Sequence, residues 1–144
     1  AWPLKGDLHS SKGKLLINRL AECCCGQLSI EVAGEPKSCG LCHCDNCKKR
    51  TGSAFGISAY FTSSQVIQQK GASSCYSFYH KENQHYQERY FCTHCGTTLY
   101  WLISTMPDNI GISGGCFTRT PLEEPSYSIN DSQKCNWLDL PKKW

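Results

Sequence analysis

The sequence predicts a mainly β domain. Three observations carry that expectation. Apolar residues recur with period two over short runs, no segment sustains a capped 3.6-residue repeat, and cysteine pairs followed by glycine fall at the ends of the runs. Leu28, Ile30 and Val32 alternate with polar residues over 27–32, which marks a half-buried strand closed by the turn Gly34-Glu35-Pro36. A short segment, Lys37 to Leu41, leads into the cysteine cluster. Beyond it, Phe55, Ile57, Ala59 and Phe61 alternate with Gly56, Ser58 and Tyr60 as a second strand. Ser63 to Val66 reads as one helical turn, broken at Lys70-Gly71. Cys75 to Tyr79 and Tyr86 to Phe91 are aromatic-rich runs joined by polar Lys81 to Gln84, the pattern of a hairpin in which Cys75 packs as a small hydrophobe. Thr98 to Ile103 is an apolar strand. Met106 to Asn109 turns the chain into Ile110 to Ser113, and Gly114-Gly115 permits close backbone approach. Pro121 to Pro125 is extended, Tyr127 to Ile129 a last short strand, and Trp137 to Pro141 a terminal clasp.

Residues 1–20 are polar and lysine-rich with one apolar clump, Leu15-Leu16-Ile17, and read as an arm docking a short strand over Leu15–Leu20. Residues 21–144 read as one domain, long enough to bury a core without staples. Twelve cysteines in 144 residues reach about 8 per cent, the edge of disulfide-scaffold composition. No secretory signal is legible in 1–20 and nothing has the length of a membrane span. The expectation is a cytoplasmic protein with reduced or metallated thiols, whose start without Met is a processed or trimmed one. The net charge of +3 is mild, and its cations are scattered apart from Lys48-Lys49-Arg50 and Lys142-Lys143. A nucleic-acid footprint would be a denser stripe, so neither nucleic acid nor membrane is an expected partner. Oligomeric state stays open.

The central motif is Cys42-His43-Cys44-Asp45-Asn46-Cys47, which places three thiols within six residues. Such density suits a metal. Zinc takes thiolate sulfur in a tetrahedron, with four protein ligands in structural sites and commonly three in catalytic ones. A fourth ligand here would come from Cys39, His43, Cys116 or Cys135; without one, the site is open. Three thiolates on a dication leave a net charge near −1, an electron-rich site suited to chemistry at a carbon–sulfur bond. Arg50 is the cation best placed by sequence to offset that charge or hold a substrate carboxylate, whereas Lys48 and Lys49 read equally well as a solvated turn. Two further half-knuckles, Cys23-x-Cys25-Gly26 and Cys92-x-x-Cys95-Gly96, can close one four-cysteine structural zinc site, with Cys24 and His94 pointing away from the ion.

Together these motifs, with Thr51-Gly52-Ser53-Ala54-Phe55 after the basic residues and the closing Trp137-Leu138-Asp139-Leu140-Pro141, resemble the glutathione-dependent formaldehyde-activating enzyme (GFA) family, which includes the centromere protein V type. The match runs over four motifs in order from about Glu22 to Pro141. The resemblance implies an Mss4-like coiled β-sheet "tent" fold with up to two zinc ions per chain. It places Cys23, Cys25, Cys92 and Cys95 at a structural zinc, and Cys42, Cys44 and Cys47 at a second, substrate-facing one, to which the residue reading above adds Arg50 as a catalytic candidate. It implies a carbon–sulfur lyase, like S-hydroxymethylglutathione synthase, with a small thiol such as glutathione as partner. The alternative from another class is a non-catalytic, zinc-stabilised protein-binding module of the same fold. The chain departs from the family pattern at Arg119, where relatives often carry an acid, and at Cys135-Asn136-Trp137, where they often show His-Pro-Trp; both departures are expected around the pocket.

Overall fold

A computed structural model describes residues 17–144. Ten strands form two sheets. β1 (Asn18–Glu22), β2 (Ser29–Ala33) and β5 (Val66–Lys70) make a three-stranded antiparallel sheet in the order β1-β2-β5. β3 (Ser38–Cys42), β4 (Gly56–Thr62), β6 (Ser73–His80), β7 (His85–Cys92), β8 (Thr98–Ile103), β9 (Asn109–Ser113) and β10 (Tyr127–Ile129) make a seven-stranded sheet ordered β10-β3-β4-β9-β8-β7-β6. All its pairings are antiparallel except β10 with β3. The fold is mostly β, as the alternating runs predict. No helix among the described residues is long and apolar enough to cross a membrane.

The core joins the two sheets. Ala21, Leu28, Ile30 and Val32 come from the small sheet and its hairpin, and they meet Ala59, Phe61, Leu99, Ile110, Ile112 and Phe117. Leu28, Ile30 and Val32 are fully buried, so the predicted face of that strand is the packed one. Each large side chain so buried contributes about 1.5–3 kcal/mol. On β4 the same period of two has a second use. Ala59 and Phe61 enter the core, while Ser58 and Tyr60 turn to the opposite face and line a cavity. Two glycines set the spacing around that cavity: a Cβ on Gly40 would lie 2.4 Å from the Tyr127 ring, and one on Gly111 would lie 2.1 Å from Trp101.

Several expectations need correction. The first strand is Asn18–Glu22 rather than Leu15–Leu20; Leu15 and Leu16 lie outside the described residues. Ser38–Cys42 is a full strand between β4 and β10, not a lead-in. The cysteine cluster is no simple loop, because a short helix α1 (Asp45–Thr51) runs through it. Cys44 is the helix N-cap, its sulfur accepting the Cys47 N–H, and Gly52 ends the helix in the left-handed region at φ 63°. Asp45 in the first turn and Lys48, Lys49 and Arg50 in the last complement the helix dipole. Cys75 is exposed rather than packed. Trp137 is 73% exposed and so is no buried clasp; the terminal segment is tied back instead by Lys143 Nζ and Trp144 Nε1, which donate to the Glu124 carboxylate at 3.3 and 3.1 Å.

Candidate metal centres and pocket

The turn from β1 to β2 carries Cys23 and Cys25, while Cys92 ends β7 and Cys95 lies in the turn from β7 to β8. Their four sulfurs lie within 4.8 Å of one another, with Cys23 to Cys25 at 3.6 Å and Cys25 to Cys92 at 3.7 Å. Sulfurs on a tetrahedron with bonds of about 2.3 Å stand roughly 3.8 Å apart, so the donor set fits zinc. Gly26 and Gly96, at φ 83° and 81°, fold each turn back. That geometry aims backbone N–H groups at sulfur: Leu28 donates to Cys23 at 3.2 Å, and His94 to Cys92 at 3.3 Å. The Cys24 N–H donates to Thr97 Oγ1 at 3.1 Å, tying the two turns and hence the two sheets together. Cys24 and His94 are exposed and stand outside the four-sulfur group. The Thr97 hydroxyl, first among its neighbours, holds the Cys95 thiol down to about 5, whereas the Cys25 thiol of the same cluster is pushed up to about 12.

The second cluster is built at the end of β3 and the start of α1. Cys42, Cys44 and Cys47 are all buried, with sulfurs within 4.8 Å of one another. Hydrogen bonds from the other two thiols pull the Cys42 thiol down, and the same bonds push those of Cys44 and Cys47 up. Three crowded thiols thus hold one negative charge comfortably, and only a cation would let all three ionise. Asn130 Nδ2 donates to Cys42 Sγ at 3.1 Å. None of the four residues considered as a fourth ligand joins the group. His43 turns away, its Nε2 bonded to Ser128 Oγ at 2.9 Å and its ring against Phe55. Cys39 packs in the core, Cys116 lies against that core near Cys23 and Cys24, and Cys135 sits in the C-terminal segment.

His80, which sequence reading passed over, is the residue that does approach. Its Nε2 stands 3.6 Å from Cys44 Sγ, and its Nδ1 accepts the Asn83 N–H at 3.2 Å. That bond places the proton of the neutral ring on Nε2, so His80 faces Cys44 as a donor. Burial lowers the pKa of His80 and likewise of His85, whose ring centroid is 5.3 Å away. A lowered folded value means that the unfolded chain binds more protons below about pH 6.5, so these groups cost stability as pH falls. The urea midpoint of wild type is expected to drop between pH 7 and pH 5.5, and to drop less in His85→Gln. An equal drop in the variant would show that His85 contributes nothing.

A cavity of about 40 Å³ opens against the second cluster. Cys42, Cys47, Arg50, Tyr60, His80, Gln87, Arg89 and Trp101 are among its walls, and no Asp or Glu lines it. Arg50 lines the cavity with its Cζ 4.6 Å above the Trp101 ring and its Nη1 donating to Ser113 Oγ at 3.0 Å. Arg89 and Gln87 were missed; the signal was that β7 buries its polar residues, His85, Gln87 and Arg89, and exposes Tyr86 and Glu88 between them. Lys48 and Lys49 do not line the cavity; Lys48 Nζ binds the Gln133 carbonyl instead. Arg119 is also elsewhere, paired with Glu22 at 3.2 Å on another surface, so that departure from the family pattern does not reshape the cavity.

The profile of a family described as glutathione-dependent formaldehyde-activating enzyme matches residues 18–132. The chain belongs to this family. The GFA match takes in both cysteine clusters and every cavity residue named above. No curated protein matches the chain. Among solved structures, the crystal structure of a Rhodobacter sphaeroides protein, a structural genomics target, is similar at TM-score 0.53 and 23% identity, covering 69% of this chain and 87% of that one. At that identity the likeness speaks for the GFA chain's fold alone. The donor chemistry of either cluster suits a metal ion.

Proposed function

We propose that this GFA-family chain is a carbon–sulfur lyase, working also in the direction of adduct formation, on a small thiol conjugate, with glutathione and formaldehyde as the thiol–aldehyde pair. One observation carries the reading: two thiols of the buried three-cysteine cluster, Cys42 and Cys47, wall a cavity that also holds Arg50, while a separate four-cysteine cluster ties the sheets together. A catalytic and a structural zinc would divide the work in that way, Cys42, Cys44 and Cys47 holding the first and Cys23, Cys25, Cys92 and Cys95 the second. At the first position a zinc ion supplies positive charge that favours the thiolate form of a substrate thiol.

The reaction balances without a further reagent. The thiol sulfur forms a bond to the aldehyde carbon, the carbonyl π pair moves to oxygen, and the thiol proton ends on that oxygen; the reverse step breaks the same carbon–sulfur bond. The chain's own residues bind and shield. Trp101 and Tyr60 wall the cavity, Arg50 supplies charge, and His80 holds a proton on Nε2 at the cavity wall, where it serves the transfer between sulfur and oxygen. Such thiols need a reducing setting, for which the cytoplasm is the proposed location.

Exchange spectroscopy on ¹³C-formaldehyde with glutathione tests this directly. Zinc-loaded protein is expected to speed interconversion of the free aldehyde and the S-hydroxymethyl adduct well above the buffer rate, and equality with buffer would refute the assignment. A second reading, a non-catalytic protein-binding module, is favoured by Tyr76, Tyr79 and Tyr86, which are 55%, 50% and 67% exposed on the β6–β7 hairpin. It predicts no exchange.

A further inference from the structure

The cavity holds more positive charge than the cysteine cluster needs. Arg89 is 7% exposed and Arg50 half-buried, and both face the same space. The ion pairs among the described residues join Arg19 to Glu35, His80 to Glu82, Arg119 to Glu22 and Lys143 to Glu124; neither cavity arginine has a carboxylate partner. Arg89 is held in place by neutral groups: Nε donates to Gln87 Oε1 at 2.7 Å, Nη2 donates to Asn46 Oδ1, and the guanidinium stacks 4.6 Å from the Phe78 centroid. Arg50 Nη2 is buried with no hydrogen-bond partner at all. A Cβ on Gly56 would lie 2.5 Å from that nitrogen, so glycine is what leaves it room. Tyr60 adds a third donor. Its oxygen accepts the Trp101 Nε1–H at 3.2 Å, which leaves the phenol proton free for an acceptor in the cavity.

Holding a buried and a half-buried guanidinium ion against one cavity costs free energy unless an anion joins them. The thiolates are the obvious candidate, but three of them on a dication sum to −1, and two arginines add +2, leaving a surplus of about one positive charge. Unmatched donors on one wall, thiols on another and no acid between them describe a receptor for an oxyanion. We propose that Arg89, Arg50 and Tyr60 form a carboxylate-binding subsite, and that the substrate is a small thiol conjugate whose carboxylate docks there while its sulfur faces Cys42, Cys44 and Cys47. This deepens the thiol-conjugate reading and rests on it for the sulfur end only. The planar guanidinium forks suit the two oxygens of a carboxylate. A cavity of about 40 Å³ takes only the carboxylate-bearing end of a larger conjugate.

Calorimetric titration of zinc-loaded protein with 3-mercaptopropionate and with 3-mercaptopropanol, near-isosteric thiols with and without the charge, tests the subsite. Propionate alone is followed in parallel by thermal unfolding against sodium chloride at equal ionic strength. The acid thiol is expected to bind about 10-fold or more tightly than the alcohol, by the worth of hydrogen bonds to a charged group. Propionate should raise the wild-type midpoint. Both effects should vanish in Arg89→Gln, and weaken in Tyr60→Phe, which keeps the ring and a folded core. Equal affinity for the two thiols with inert propionate overturns the subsite and leaves the thiol reading standing. Propionate protection with no binding of either thiol does the reverse. A preference that survives intact in folded Arg89→Gln also overturns the assignment.

Discussion

Serine in place of Cys95 is expected to unfold the protein or to lower its stability by about 5 kcal/mol, although the residue is exposed and the change removes no packing. Structural zinc bound by four thiolates contributes roughly 10–16 kcal/mol of apparent binding energy, as much as the whole net stability of a domain this size. Losing one ligand forfeits a large part of it, and here the site joins two sheets through turns 67 residues apart, Cys25 to Cys92. Cys92→Ser should be at least as damaging, since Cys92 is 1% exposed and takes N–H bonds from His94 and Cys95. The surface position is the cleaner test. Circular dichroism with chemical denaturation measures it, and a Cys95→Ser protein as stable as wild type would remove the four-cysteine cluster from the stability account.

Cys44→Ser should produce the opposite pattern. Cys44 is fully buried, yet serine is nearly its shape and is a preferred residue at a helix N-cap, so the Cys47 N–H keeps an acceptor and α1 keeps its start. Stability is expected to change by no more than about 1 kcal/mol. Catalysis of adduct exchange should fall by about 100-fold or more, since removing one of three thiolates takes away the site's capacity to hold its metal. A Cys44→Ser protein that unfolds as readily as Cys95→Ser would mean that the clusters do not divide structure from chemistry.

How far the sequence reveals this molecule depends on what each residue faces. β2 and β4 were legible because each has one packed face, which leaves a clean period of two in Leu28-Ile30-Val32 and in Ala59-Phe61. β3 was not, since four of its five residues are buried and alternation disappears when both faces are covered. β5 failed for the converse reason. It is an edge strand whose Ile67 to Lys70 are exposed, so nothing apolar recurs. α1 has only seven residues, too few for a helical repeat; its one sign was Gly52 as C-cap, because cysteine is an unusual N-cap. All seven cysteines of the two clusters could be read from spacing, because the metal-binding chemistry is local to short turns. The cavity's other half could not. Arg89 and His80 reach it from β7 and β6 through sheet topology, and β7 inverts the usual rule by hiding its polar residues and showing its tyrosine.

The central claim is that the two cysteine clusters are two metal centres with different duties. Elemental analysis of protein purified under reducing conditions, beside Cys44→Ser and with and without excess glutathione, tests it most directly. The account predicts about two zinc ions per wild-type chain, one in the variant, and perturbation by glutathione of the ion that the variant lacks. A single tightly held zinc, the same in both proteins and indifferent to glutathione, would contradict it.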